Sequence, residues 1–304
     1  MREFELLSRV YALNQTLPAS VMLPPGDDMA ALTLPRHAAS LLVAADSAVE
    51  GTHTPLGGDA YDLGRKAVLR NLSDVAAMGN AQPLAILACA MIPEGTEDAR
   101  IWRLFEGVRE TGLAWGAPLI GGDTTVVGAR SALSVAVTIL ATPIDQQTPL
   151  ATRSSARIGD GVYVTGVVGG AWDPQTGLGR HLHFPPRLAV AHALSQSLGV
   201  RLHAMIDVSD GLAQDLGHVA KSSAVDIELV LSQVPLANGV VVEDAIRHGE
   251  DYELAFTASG AVPLMLEGVA ITRIGTVCGS GGEVRIVDVC GARDLPVTGW
   301  EHGS

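Results

Sequence analysis

Aspartates recur in this chain where apolar or glycine-rich segments end, and their types and spacing could do chemistry. Asp27 and Asp28 follow Gly26. Asp46 follows the apolar run 41–45, and Asp74 lies in Asn71-Leu72-Ser73-Asp74-Val75. Asp123 follows Ile120-Gly121-Gly122, and Asp207 and Asp210 flank Val208-Ser209. The Ser-Asp pairs at 73–74 and 209–210 are the chain's only internal similarity, and two such corners suggest one site built from two halves. So many carboxylates cannot converge fully ionised without a counter-charge. A hard divalent cation resolves this, because carboxylate and hydroxyl oxygens favour Mg²⁺, which in turn bridges phosphates. The chemistry implied is phosphoryl transfer, in which positioning and metal charge do most of the work. Each acid also has a structural reading. Ser209 or Asp210 could cap the helix that follows, and a Gly-Asp-Asp triplet alone reads as a solvated turn. Asp74, with apolar neighbours on both sides, is costly unless paired, hydrogen-bonded or on a metal.

Composition narrows the partners. A net charge of -13 disfavours nucleic acid and anionic membrane surfaces. Lys66 and Lys221 are the only lysines, so phosphate recognition falls to arginine, backbone N–H groups or metal. Cys89, Cys278 and Cys290 lack CxxC spacing and read as reduced thiols, with Cys89 expected in the core. The charged N-terminus does not read as a signal peptide, and the longest apolar run, 84–92, is too short to span a bilayer, so a cytoplasmic protein is expected. No GxxxxGK[ST], GxGxxG, GxSxG or HExxH motif occurs.

The elements that must position these acids follow from periodicity. A short N-terminal helix ends near Leu13. A strand over 41–45, a helix over 61–79, a strand over 84–91 and a helix over 97–115 come next, the last with Trp102, Leu104, Phe105, Val108 and Leu113 facing the core. A strand from 118 ends at Gly121-Gly122, and another covers 133–140. The polar segment 142–147 divides the 304 residues into domains 1–143 and 144–304, each large enough for its own core. Beyond it come a strand over 161–166, a glycine-rich loop to 179 and a His181/His183 pair read as surface residues. A helix over 188–198 and the strand ending at Asp207 follow, with a helix inward-facing at 212, 213, 216, 219 and 220. A strand over 225–230, a short helix over 241–246, an acidic turn before a strand near 254, and strands over 271–277 and 284–289 complete the chain.

Six motifs in order, GDDMAAL (26–32), DSAVEGTH (46–53), NLSDVAAMG (71–79), IGGDTT (120–125), IDVSDGLAQDLGH (206–218) and GEDYEL (249–254), resemble the thiamine-monophosphate kinase family, of the aminoimidazole ribonucleotide synthetase and selenophosphate synthetase superfamily. The resemblance implies an α/β (α+β) fold in two domains. The N-terminal mixed sheet pairs into a dimeric barrel in a homodimer, and a C-terminal α/β domain with a mixed sheet closes over ATP. The implied reaction is in-line transfer from ATP to thiamine monophosphate, with Mg²⁺ as cofactor. By position, Asp28, Asp46, Asp74, Asp123, Asp207 and Asp210 match metal ligands, joined by Ala44 and Ala45. Asp74, Asp207 and Asp210 carry the catalytic role. Gly122, Asp123, Arg153 and Ser209 match nucleotide contacts, and His53, Glu250 and Trp300 match contacts to the thiamine phosphate. Ala45 offers only a backbone carbonyl, Thr54 and His248 depart from the family pattern, and the 167–181 loop is short, with Ala171 and Trp172 at positions expected to be small and polar. A relative acting on another acceptor, a non-catalytic nucleotide-binding paralogue and a scaffold whose acids are caps remain as alternatives.

Overall fold

The computed structural model describes residues 21–23, 27, 29–33, 40–288 and 291–294. The expected N-terminal helix, Asp28, Cys290 and Trp300 lie outside these residues. The first sheet runs β1 (Val21–Leu23), β2 (Ala30–Thr33), β3 (Ser40–Val49), β6 (Ser134–Pro143), β4 (Ala81–Pro93) and β5 (Leu119–Val127). β5 is parallel to β4, while β6 is antiparallel to both β3 and β4. Helices α1 (Ala60–Ala77) and α2 (Asp98–Ala114) pack on each other, and α1 lies against β3 and β6. Leu42, Val68, Leu72, Ile86, Leu104 and Val137 form the core beneath them.

The second sheet runs β14 (Gly291–Asp294), β13 (Val284–Asp288), β9 (Asp226–Val230), β12 (Val269–Cys278), β7 (Gly161–Thr165), β10 (Leu254–Ala258) and β8 (Leu202–Asp207). A short β11 (Met265–Leu266) pairs with β12. Only β13 and β9 run parallel, so both sheets are mixed. Helices α3 (Leu188–Leu198) and α4 (Leu212–Ser223) and the short α5 (Val242–Ala245) accompany it. The five inward positions expected of α4 are all buried, because their 3.6-residue spacing gives one apolar face. A third apolar cluster joins Ala76 and Ala77 of α1 to Leu194 of α3, Met205 of β8 and Phe256 of β10. Burial of each large apolar side chain there contributes about 1.5–3 kcal/mol, which fixes the end of α1 against β8.

Several expectations change. Asp46 lies inside β3 rather than at its end, because the Leu42-to-Val49 ladder with β6 continues through it. Asp123 likewise lies inside β5, whose pairing with β4 runs on to Val127. Ser73 and Asp74 lie within α1, as the helix expected over 61–79 places them, so the motif they share with 209–210 occupies a helix in one copy and a turn in the other. Trp102 and Leu113 are exposed, because α2 buries Leu104, Val108 and Thr111 on its inward face. Cys89 is exposed because strand alternation turns Ala88 and Ala90 inward.

Candidate active site

The site begins where the buried β8 ends at Asp207 and the chain turns through 208–211 into α4. Neither Ser209 nor Asp210 caps that helix; Gly211 holds the N-cap position with φ +124°, which corrects the capping expectation. The first turn's Ala213 N–H goes to Ile246 O at 2.9 Å, and Asp215, one turn inside, fastens the turn that precedes the helix. Its Oδ2 accepts the N–H groups of Ser209, Asp210 and Gly211 at 3.0, 3.1 and 3.1 Å. Burial, followed by the charges of Asp210 and Asp207, pushes the Asp215 carboxyl well above the usual range, with the Asp210 N–H bond opposing.

A second turn locks onto the first. The N–H of Glu250 donates to Ser209 O at 2.7 Å, that of Tyr252 to Val208 O at 2.8 Å, and that of Val208 to Glu253 O at 2.8 Å. A Cβ on Gly249 would lie 2.1 Å from Ser209 O, so this approach requires glycine. Glu250 and Tyr252 have φ +70° and +51°, conformations that cost non-glycine residues about 1–3 kcal/mol each. Tyr252 is held by stacking on Phe184, with centroids 3.9 Å apart.

The two Ser-Asp motifs meet. Ser73 Oγ donates to Asp207 Oδ2 at 2.6 Å across 134 residues of sequence, both side chains being buried. Lys66, Arg70 and Asp74, spaced i, i+4 and i+8, share one face of α1. Arg70 Nε lies 2.7 Å from Asp46 Oδ2, and its Nη1 donates to Ser47 O at 2.8 Å. Burial opposes the Arg70 charge, yet Tyr252, Asp46, Glu250 and Asp74 around it raise its pKa further. Asp27 Oδ2 accepts the Arg153 N–H at 3.0 Å. Asp46, Asp74, Asp207 and Asp210 thus gather around α1 and the β8–α4 turn. Beyond Val43, β3 pairs only with β6 among the described residues, so its other edge offers backbone oxygens near Ala44 and Ala45. Ligand atoms of Asp210, Asp215 and His218 lie within 4.8 Å of one another. Gly122 and Asp123 stand apart, lining a shallow hollow of about 470 Å³ on exposed β5 with Phe105 and Leu119.

A cavity of about 420 Å³ lies over this ground, walled by His53, Lys66, Arg70, Trp172, Gly177, His181, Ser209, Asp210 and Glu250. His53 Nδ1 accepts the Val49 N–H at 3.1 Å. Lys66 is fully buried. Its ammonium donates to His53 O at 2.7 Å, meets His181 Nδ1 at 2.6 Å and pairs with Glu250 Oε2. Burial lowers the Lys66 pKa to about 8 against the pull of Glu250. Burial pushes the Glu250 carboxyl upward, but the close approach of His181 and the charges of Lys66 and Arg70 outweigh it, leaving a pKa of about 2. His181 is buried, which corrects its reading as a surface residue, while His183 is exposed. Sequence reasoning missed Lys66, Arg70, His181, Trp172, Tyr252 and Asp215 at this site. One available signal was Lys66, one of only two lysines in the chain, four and eight residues before Arg70 and Asp74 and so on one face of a helix with them.

Residues 26–142 match the family model "AIR synthase related protein, N-terminal domain". The thiamine-monophosphate kinase of Haemophilus influenzae is 34% identical over 280 residues, covering 84% of this chain and 81% of that protein. The thiamine-monophosphate kinase of Escherichia coli O157:H7 is 33% identical over 336 residues, covering 99% of this chain and 98% of that protein. A solved structure described as AaThiL complexed with AMPPCP and TMP superposes with a TM-score of 0.78 at 26% identity, covering 99% of this chain and 97% of that one. The acids, the fold and these relatives agree, and the chain belongs to the thiamine-monophosphate kinase family.

Proposed function

We propose that this enzyme transfers the γ-phosphoryl group of ATP to the phosphate of thiamine monophosphate, giving thiamine diphosphate. The observation that carries the reading is one cavity whose walls include both His53 and Glu250, assigned to the acceptor, and Ser209 and Asp210, assigned to the nucleotide and its metal. It is supported by relatives named for this activity and by a neighbour described with an ATP analogue and TMP. In the reaction an acceptor phosphate oxygen bonds to the γ-phosphorus as the bond to the ADP oxygen breaks, with no covalent enzyme intermediate. His53, Glu250 and Trp300 hold the acceptor; Gly122, Asp123, Arg153 and Ser209 hold the nucleotide. Asp28, Asp46, Asp74, Asp207 and Asp210, with carbonyls at Ala44 and Ala45, would hold Mg²⁺, joined by Asp123 from β5 outside the cavity lining, and a donor set of hard oxygens suits that ion. Bound there, Mg²⁺ supplies charge neutralisation on phosphate oxygens. Asp207 is oriented for its role by Ser73, and Asp46 by Arg70.

A division into domains 1–143 and 144–304 is supported by the two sheets, the first ending in β6 and the second beginning in β7. A homodimer is supported by β5, an edge strand among the described residues, along which Ile120 and Val126 are 62% and 72% exposed. A second copy placed against it would close the first sheets into the barrel. The purified protein, incubated with ATP, Mg²⁺ and thiamine monophosphate, is expected to form thiamine diphosphate, followed by chromatography. ATP turnover on another acceptor with no thiamine diphosphate overturns the assignment.

A further inference from the structure

We propose that Lys66 is the positioning residue of the acceptor pocket, a buried cation that holds three separate segments of the pocket wall in register; this rests on the thiamine-monophosphate reading of the site. The ammonium has three donors, and it meets three acceptors: His53 O from the 51–56 loop, His181 Nδ1 from the 172–182 segment and Glu250 Oε2 from the 249–252 turn. With all three donors engaged by protein atoms, Lys66 has none left for a substrate phosphate and acts through the groups it holds.

Each contact has a consequence in the cavity. An ammonium donating to Nδ1 fixes His181 as the tautomer whose Nε2–H donates to Gly177 O, 3.0 Å away, and so ties down the strand of wall that carries Trp172. Holding His53 O fixes the short loop that presents the imidazole. Among the described residues the polar contacts of the Glu250 side chain, the Lys66 ion pair and the approach of His181, are both at Oε2, and that side chain keeps about a quarter of its exposure. Oε1 is thereby turned to the cavity as an acceptor and negative charge for the amino group or cationic ring of the acceptor. The left-handed backbone at Glu250 opposes this placement, and the ion pair offsets that strain. Burial lowers the Lys66 pKa to about 8, with Glu250 and, more weakly, Asp46 opposing and the Arg70 charge adding to the drop.

The test is a double-mutant cycle in the full-length enzyme, with Lys66→Met, Glu250→Gln and the double variant, reading KM for thiamine monophosphate and for ATP separately. Lys66→Met is expected to raise the acceptor KM at least tenfold with the ATP KM unchanged within twofold. Its effect and that of Glu250→Gln should be strongly non-additive, because both sever the same contact. Lys66→Arg, which keeps the charge, should recover most of the acceptor affinity. His181→Gln, which leaves the ion pair buried and intact, should raise the acceptor KM several-fold and covers the case in which Lys66→Met does not fold. Additive effects, or equal changes in both KM values, overturn the proposal and leave Lys66 a general stabiliser. Hydrogen exchange without ligand, faster at 51–56 and 173–181 in Lys66→Met, and at 173–181 in His181→Gln, than in the parent, reads the clasp independently of substrate. If the parent forms no thiamine diphosphate, the functional reading fails; if exchange in these loops is unchanged, the clasp itself fails.

Discussion

Asp215 accepts the three backbone N–H groups of the 209–211 turn, so that turn is fastened by Asp215 and not by the Asp210 side chain. The division of labour predicts two different phenotypes. Asp210→Asn should fold with a stability close to the parent's and lose Mg²⁺-dependent turnover by at least a hundredfold. Activity surviving within a few-fold would remove Asp210 from the metal site. Asp215→Ala should cost about 1–3 kcal/mol in urea denaturation, because it leaves the buried Gly211 N–H and the half-buried N–H groups of Ser209 and Asp210 without their acceptor. A second residue-scale expectation concerns pH. The folded pKa of Glu250, about 2, lies below its ordinary 4.5. The stability it contributes is therefore complete above about pH 4.5 and is lost as pH falls from there toward 2. Urea midpoints measured between pH 5 and pH 3 should fall in the parent and fall less in Glu250→Gln.

At the scale of elements, the site is a junction of one helix and two turns. α1 carries Lys66, Arg70, Ser73 and Asp74, and its end is packed on α3 and β8, which brings Ser73 to Asp207. Ser73→Ala should destabilise by about 1–3 kcal/mol, since it withdraws a donor from a buried carboxylate, and should lower kcat more than it raises the acceptor KM. The two turns depend on close backbone approach at Gly249. Gly249→Ala forces the 2.1 Å contact with Ser209 O to open and should cost about 2–4 kcal/mol in thermal or urea unfolding, with turnover lost. Unchanged stability would mean that the turns can separate without consequence. The elements themselves were legible wherever a period was clear: the helix over 188–198 and the apolar face of α4 match the sequence expectation. Strand ends were not, because β3 and β5 run on through Asp46 and Asp123, and ladder pairing with β6 and β4 decides length where side-chain polarity suggests a stop.

For the whole molecule, Ile120 and Val126 of β5 and Trp102 and Leu113 of α2 face solvent in the single chain, as do Leu84 and Leu87 of the neighbouring β4 and Leu56 in the loop before α1. Ile120→Arg with Val126→Arg should convert the proposed dimer to a monomer in light scattering, with turnover reduced at least tenfold. A dimer persisting in that variant would place the interface elsewhere. What the sequence determined by itself was the mixed α/β class, the presence of two sheets, the family and the set of acids, because apolar periodicity and ordered motifs are local properties of the chain. Only the tertiary structure decided what those acids touch. Ser73 meets Asp207 across 134 residues, Lys66 joins loops 13, 115 and 184 residues away, and Asp123 lies on an edge apart from the cavity lining. The physical reason is that a buried charge is tolerated only where distant partners converge on it, and that convergence is set by how α1 packs against the second sheet rather than by any neighbour in sequence.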